Sequence, residues 1–217
     1  MFHCGILRYN PLMQGYIIDV KSVKDEDLIV TVLAQNSVYT TYRFYGARHS
    51  NINVGYKIDF EIESNIKSTI PRLKDVIQLG FEWIFDREKL YCWQRFLKLF
   101  YAHLKDVDEL DSFYFELLEE LAVKINKQNP KRAIIESYIK LLEYEGRLHT
   151  EYECLICEQH IEKNISLVRA FHPTHSKCTY SKSFKFSKVQ KLFEDSSTID
   201  FSDEECDYLW NILLQGI

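Results

Sequence analysis

A chain of 217 residues fits one large domain or two to three small ones, and an apolar fraction of 46% with 14% aromatics is enough for real cores. The formal net charge of −5 argues against a broad electrostatic grip on nucleic acid or anionic lipid, though it leaves a local basic face open. Only 7 Gly and 4 Pro leave little room for long linkers, and no apolar run reaches the roughly 18 residues that span a bilayer.

Charge counted by segment sharpens this. Residues 1–75 carry 9 Lys+Arg against 8 Asp+Glu, residues 76–150 carry 11 against 13, and residues 151–217 carry 7 against 11. The sums are +1, −2 and −4, so a nucleic-acid contact is expected first in the N-terminal third. The start, MFHCGILRYNPLMQG, lacks the pattern of a secretory signal, and six cysteines make no dense disulfide scaffold. A reducing cytoplasm is the expected location. Residues 1–12 show no strand or helix period, which predicts that Met13 is the biological start and that the preceding segment is dispensable.

The first third reads as β. Tyr16, Ile18 and Val20 alternate, as do Leu28, Val30 and Val32, and Ile58, Phe60 and Ile62 alternate with Asp59, Glu61 and Glu63. Val38–Tyr45 is rich in β-branched and aromatic residues, and Leu73–Leu79 is a fifth candidate. Turn signals separate them at 24–27, 35–37 and 46–55. Five short strands in about 70 residues predict a small closed barrel of the OB type.

Near Phe81 the period changes. Trp83, Leu90, Trp93, Phe96, Leu97, Phe100 and Leu104 recur at helical spacing; Leu110 to Ile125 and Ile134 to Leu142 give two further runs. Asn129-Pro130 starts the third helix and Gly146 stops it. Two more helices are expected near 187–195 and 202–214, the second opened by the capping box Ser202-Asp-Glu-Glu205. The class is therefore α+β: a barrel over 1–78, a helical bundle over 79–150, a cysteine-bearing loop over 151–180, and C-terminal helices over 181–217 packing on the bundle.

The clearest chemistry is Cys154-Leu-Ile-Cys157, then seventeen residues, then His175-Ser-Lys-Cys178. Two short chelating pairs separated by such a loop predict a tetrahedral, structural Zn²⁺ site, with four protein ligands and no open position. His172 and His160 also lie near; His175 is preferred because its gap to Cys178 mirrors the first pair. Two alternatives remain at this point. A thioredoxin-type redox pair is disfavoured by Glu151, Glu153 and Glu158 around it, and the cysteines could instead simply pack in a core. A deaminase reading of His149-Thr-Glu151 fails, because Glu153 and not proline precedes Cys154. Phosphate loops, dinucleotide turns and nucleophile elbows are absent, so no enzyme is expected. Cys92 and Cys206 read as small core residues and His103 as a packing histidine.

The order of barrel, bundle, cysteine loop and terminal helices resembles the RecO family of DNA-repair and recombination mediators. The residues carrying the resemblance are Val23-Lys-Asp-Glu-Asp-Leu-Ile-Val30, Phe44-Tyr-Gly-Ala-Arg-His-Ser50, and Leu141-Leu-Glu-Tyr-Glu-Gly146 ahead of Cys154. It spans about Met13 to Cys178. It departs from the family pattern where His175 stands for a cysteine and where Glu145-Gly146-Arg147 replaces Leu-Gly-Tyr. The resemblance implies binding of single- and double-stranded DNA and annealing of complementary strands without ATP. It also implies cooperation with RecR in helping RecA replace the single-stranded DNA-binding protein, in the cytoplasm at the nucleoid.

The residues supply their own argument for DNA. Lys21, Lys24, Arg43, Arg48, His49, Lys57 and Arg72 are the cations of the barrel, interleaved with Tyr42, Phe44, Tyr45 and Tyr56. The acid-free loop 46–53 suits phosphate contact, although solvated loop and core aromatics would give the same pattern. The family also docks the acidic, hydrophobic tail of the single-stranded DNA-binding protein. Lys131 and Arg132, beside Pro130 and Ile135, fit that task and fit ordinary helix-surface charges equally well.

Overall fold

A computed structural model describes residues 13–64, 69–107 and 109–217. The expectation about residues 1–12 lies outside them. The chain divides into two compact units, one reaching to Phe81 and including 106–115, the other holding 82–105 and 116–217.

The first unit is a closed five-stranded OB barrel. Its strands are β1 (Met13–Ser22), β2 (Leu28–Ala34), β3 (Val38–Arg43), β4 (Lys57–Glu63) and β5 (Arg72–Leu79). They close in the order β1-β2-β3-β5-β4, with β1 pairing antiparallel to both β2 and β4 and β3 meeting β5 in parallel at Tyr42 and Arg72. Every strand expected from alternation is present. Leu28, Val30, Val32, Ala34, Ile58, Phe60 and Leu73 fill the interior with Ile17. The expected Tyr16-Ile18-Val20 face does not hold. A bulge between Ile17 and Asp19 inserts one residue and shifts the phase, so Ile17 and Val20 face the barrel core instead. Tyr16 is buried outside that core, 6.2 Å from the Phe81 ring and 5.6 Å from that of Phe115. Gly15 is required where β1 crosses β2, since a Cβ there would lie 2.5 Å from Val32 Cγ1 and 2.8 Å from the Leu33 carbonyl oxygen.

The second unit is built on α1 (Arg87–His103), the main length of α2 (Phe113–Lys127) and α3 (Pro130–Tyr144). Asp86 caps α1 by accepting from the N–H groups of Glu88 and Lys89. Asn129 caps α3 in the same way, with Pro130 at its first turn as expected. Gly146 takes φ +65° just past the end of α3, the left-handed stop that favours glycine. Helix α3 carries its apolar residues almost all round: Ile134, Ile135, Tyr138, Ile139, Leu141 and Leu142 are fully buried. Cys92 and Cys206 lie in the core as expected, where burial pushes both thiols up to about 11.

After α3, the region expected as a loop contains a three-stranded sheet. Its strands are β6 (Asn164–Leu167), β7 (Pro173–Thr174) and β8 (Ser183–Lys185), in the order β7-β6-β8, with a single helical turn α4 (Ser176–Thr179) between the last two. Strands of two to four residues are too short to show a period, which is why alternation gave no sign of them. Helices α5 (Phe186–Asp195) and α6 (Asp203–Leu213) end the chain, and Ser202 and Glu205 form the expected capping box. No helix among the described residues is long and apolar enough to cross a membrane.

Candidate metal centre and nucleic-acid interface

Cys154, Cys157, His175 and Cys178 come together in the second unit, their ligand atoms all within 4.8 Å of one another. The small sheet is what joins them. A tight turn carries the first pair: the N–H of Cys154 donates to the Gln159 carbonyl and that of Glu158 to the Cys154 carbonyl. The chain then passes through β6, and β7 pairs back onto it through Ser166–Thr174 and Leu167–Pro173, which delivers His175 at the end of β7. Cys178 follows on α4, and the N–H of Leu155 donates to the Pro173 carbonyl across the two halves at 3.0 Å.

The spacing suits tetrahedral ligation. A tetrahedron with metal–sulfur bonds of about 2.3 Å and a metal–nitrogen bond of about 2.0 Å has edges of roughly 3.8 Å between sulfurs and 3.5 Å from sulfur to nitrogen. The Cys157 and Cys178 sulfurs are 3.9 Å apart, and Cys157 Sγ lies 3.4 Å from His175 Nδ1. The donors around Cys154 favour its charged form. Burial acts to raise its pKa, but the N–H groups of His175, Cys157 and Ile156 and the Cys157 thiol outweigh burial and bring it to about 6. Cys178 is the opposite case, since burial and its hydrogen bonds to Cys157 and Cys154 push it up to about 11. Four protein ligands leave no open coordination position, so the geometry fits a structural ion. His172 stands apart, its ring 4.4 Å from that of His149, and His160 is exposed in a short bridge with Glu153.

The barrel cations fall into several environments. Arg48 and Arg72 lie against exposed aromatics, the Arg48 guanidinium 5.0 Å from the Tyr45 ring centroid and that of Arg72 4.8 Å from Phe44. Phe44 and Tyr45 keep 46% and 54% of their surface in solvent. Carboxylates that the charge count could not place stand beside these cations. Arg48 is ion-paired with Glu26, Arg72 lies 3.9 Å from Glu63, and Lys24 lies 3.8 Å from Asp25. Asp27 organises the same end, accepting from the Tyr42 hydroxyl at 2.5 Å and from the Tyr45 N–H at 2.7 Å. These two donors hold its carboxyl below the usual range, the Tyr42 hydroxyl most of all. Arg43 is half-buried and donates to the Leu73 carbonyl at 2.9 Å, a tie between β3 and β5. Lys57 sits over Tyr16 and Phe115, 5.9 and 5.7 Å from their centroids. Lys21 and His49 are exposed, the first near the end of β1 and the second after the 3-10 turn Gly46–Arg48.

The residues expected to dock an acidic tail are engaged within the second unit. Ile135 is 0% exposed and offers no surface to a peptide, because the apolar periodicity of α3 wraps the whole helix. Arg132 donates to the Thr198 and Phe201 carbonyls, each at 2.7 Å, and to Asp203 at 2.9 Å. Lys131 is ion-paired with Asp207 at 2.6 Å. Together Lys131 and Arg132 tie α3 to the approach and first turns of α6.

Residues 13–84 match the family model described as RecO N terminal. The match spans the whole barrel, 72 of the 217 residues. No curated protein matches the chain.

Proposed function

We propose that this chain, which carries the N-terminal domain of the RecO family over residues 13–84, is a non-enzymatic mediator that binds single- and double-stranded DNA and anneals complementary strands. The family match supports a RecO-like role in DNA repair and recombination, and it is the observation that carries this reading. The proposal extends to partners: RecR, with which the chain would help load RecA, and the tail of the single-stranded DNA-binding protein. Docking of that tail at Lys131 and Arg132 would require their ties to Asp207 and Asp203 to open. The site of action proposed is the cytoplasm, at the nucleoid.

The proposed division of labour has residues 1–78 gripping DNA, 79–150 forming the bundle, 151–180 holding the ion, and 181–217 packing on the bundle. Zn²⁺ is the ion proposed for Cys154, Cys157, His175 and Cys178, because three thiolates and one imidazole at tetrahedral spacing favour it over hard cations. In the barrel, Arg48 and Arg72 beside Tyr45 and Phe44 are the residues we assign to strand contact, with Lys21, Lys24, Arg43, His49 and Lys57 as further cations. Replacing Arg48 and Arg72 together by Ala should lower the slope of log K against log salt by about 1.4 on single strands, at about 0.7 per phosphate contact. An unchanged slope would refute the assignment.

A second reading is a zinc-stabilised protein-interaction adaptor without direct DNA binding. The pairing of Arg48, Lys24 and Arg72 with carboxylates favours it. Absence of strand binding by the intact protein at low salt would select it.

A further inference from the structure

The sum of −4 over residues 151–217 conceals a segregation. Residues 163–193 contain seven Lys and Arg and no Asp or Glu, so all eleven acids of 151–217 lie in 151–162 and 194–217. Two of the seven, Lys188 and Lys191, are paired with Glu205 and Asp200 from the following stretch. Four others, Lys163, Lys177, Lys182 and Lys185, are exposed and form no ion pair among the described residues. Their surroundings differ from those of the barrel cations, where a carboxylate stands beside Arg48, Arg72 and Lys24 alike.

The fold gives these lysines an ordered base. Lys182 and Lys185 lie before and on β8, an edge strand of the small sheet. The register pairs Asn164 with Lys185, and the Phe186 N–H donates to the Lys163 carbonyl, so Lys163 and Lys185 are on neighbouring backbones. Phe184 points inward and is buried, while Ser183 and Lys185 on either side of it are exposed. Lys177 is on α4, one residue before the Cys178 ligand. In the sequence between Lys177 and Lys182 comes Tyr180, 96% exposed and held at φ 53°, ψ 33° by the end of α4. Lys182 lies over a second ring, Tyr208, at 5.7 Å. Lys182 feels the charge of Glu205 without forming an ion pair with it, while Lys163, Lys177 and Lys185 have no carboxylate within ion-pair range among the described residues. Lysines of this kind, in sequence next to an exposed ring and to hydroxyls at Ser181 and Ser183, are elements that suit a flexible polyanion whose bases are free to stack. A lipid surface is a poorer match, because this stretch exposes no aliphatic side chain among the described residues.

We propose that the stretch from Lys177 to Lys185, with Lys163 beside it, is a second binding surface for single-stranded nucleic acid, separate from the barrel. Its lysines would contact phosphates and Tyr180 would stack on a base. The proposal deepens the annealing role, on which it rests, by giving each unit of the chain its own strand contact.

The test uses the full chain loaded with zinc and a fluorescent single-stranded oligonucleotide titrated over a range of salt. Lys177, Lys182 and Lys185 replaced together by Ala should reduce the salt slope by about 2, at roughly 0.7 per lost phosphate contact, with zinc content unchanged. Tyr180→Asn, which keeps a residue tolerant of positive φ, should weaken binding about tenfold and leave the slope unchanged. A slope equal to wild type in the triple variant overturns the proposal. So does loss of binding to phosphatidylglycerol vesicles in that variant while strand binding persists. If the triple variant is inert and the Arg48/Arg72 variant is weakened, this inference alone fails. If the reverse is found, the barrel assignment fails and this one stands. Absence of strand binding by the wild type overturns both.

Discussion

The barrel loops and the region of the small sheet β6–β8 both carry cations and exposed aromatic rings, yet they treat the cations differently. At the barrel, Arg48, Arg72 and Lys24 each have a carboxylate within ion-pair range. On the sheet, Lys177, Lys182 and Lys185 have none among the described residues, although their third of the chain is the more acidic one. Charge available to a ligand is thus set by which carboxylates the fold brings within about 4 Å, and a segment sum says little about it. A phosphate reaching Arg48 must displace Glu26; one reaching Lys185 displaces only water and salt.

Removing the metal should separate the two regions most sharply. A chelator, or Cys154→Ser, should release the ion and lower the unfolding midpoint of the second unit by more than about 10 °C, because structural zinc contributes folding energy outright. Strand binding that persists should then depend on the barrel cations, Arg48 and Arg72 foremost. Calorimetry with and without chelator checks this, and an unchanged thermogram would mean that the four ligands hold nothing.

Arg132→Ala probes a cation engaged entirely inside the protein. Its guanidinium serves the Thr198 and Phe201 carbonyls and Asp203, so the change should cost about 2 kcal/mol in urea unfolding while leaving the salt slope of DNA binding alone. A stability equal to wild type would return Arg132 to the surface charges and reopen it as a docking residue.

Much of this architecture was legible in the sequence, and the exceptions have physical causes. Alternation revealed β1, β2 and β4, β-branched and aromatic composition revealed β3, and the run Leu73–Leu79 marked β5; Asn129-Pro130 and Ser202–Glu205 revealed their helix starts because caps are local. The Cys/His spacing revealed the metal cluster for the same reason. The bulge at Ile17–Asp19 left no mark, since Tyr16, Ile17 and Ile18 are all buried. The sheet β6–β8 was missed because its strands are shorter than a period. The pairing of Arg48 with Glu26 and the burial of Ile135 depend on contacts made across the fold; the apolar run on every side of α3 was the one available hint for the latter.

A gentler change sharpens the contrast at the barrel. Glu26→Gln releases Arg48 from its partner and should tighten single-strand binding about threefold at low salt, as expected for a surface ion pair. Glu162→Gln, next to the basic segment but without an ion pair among the described residues, should have a smaller effect. Equal responses would remove the distinction between paired and unpaired cations.

The smallest effect concerns pH. Because the Tyr42 hydroxyl and Tyr45 N–H depress the Asp27 pKa, the stability they add is present above the ordinary carboxylate pKa of about 3.9 and is lost as pH falls through the lowered value. Asp27→Asn should therefore flatten the stability profile below about pH 4. Urea midpoints across that range would show it, and parallel profiles would remove Asp27 as the organiser of the barrel loops.

The most direct test of the whole account is annealing of two complementary strands coated with single-stranded DNA-binding protein, intact or lacking its tail, without ATP. The account predicts that the zinc-loaded chain accelerates annealing, more so when the tail is present. An annealing rate no higher than that of the coated strands alone, with either form of the coating protein, would contradict it.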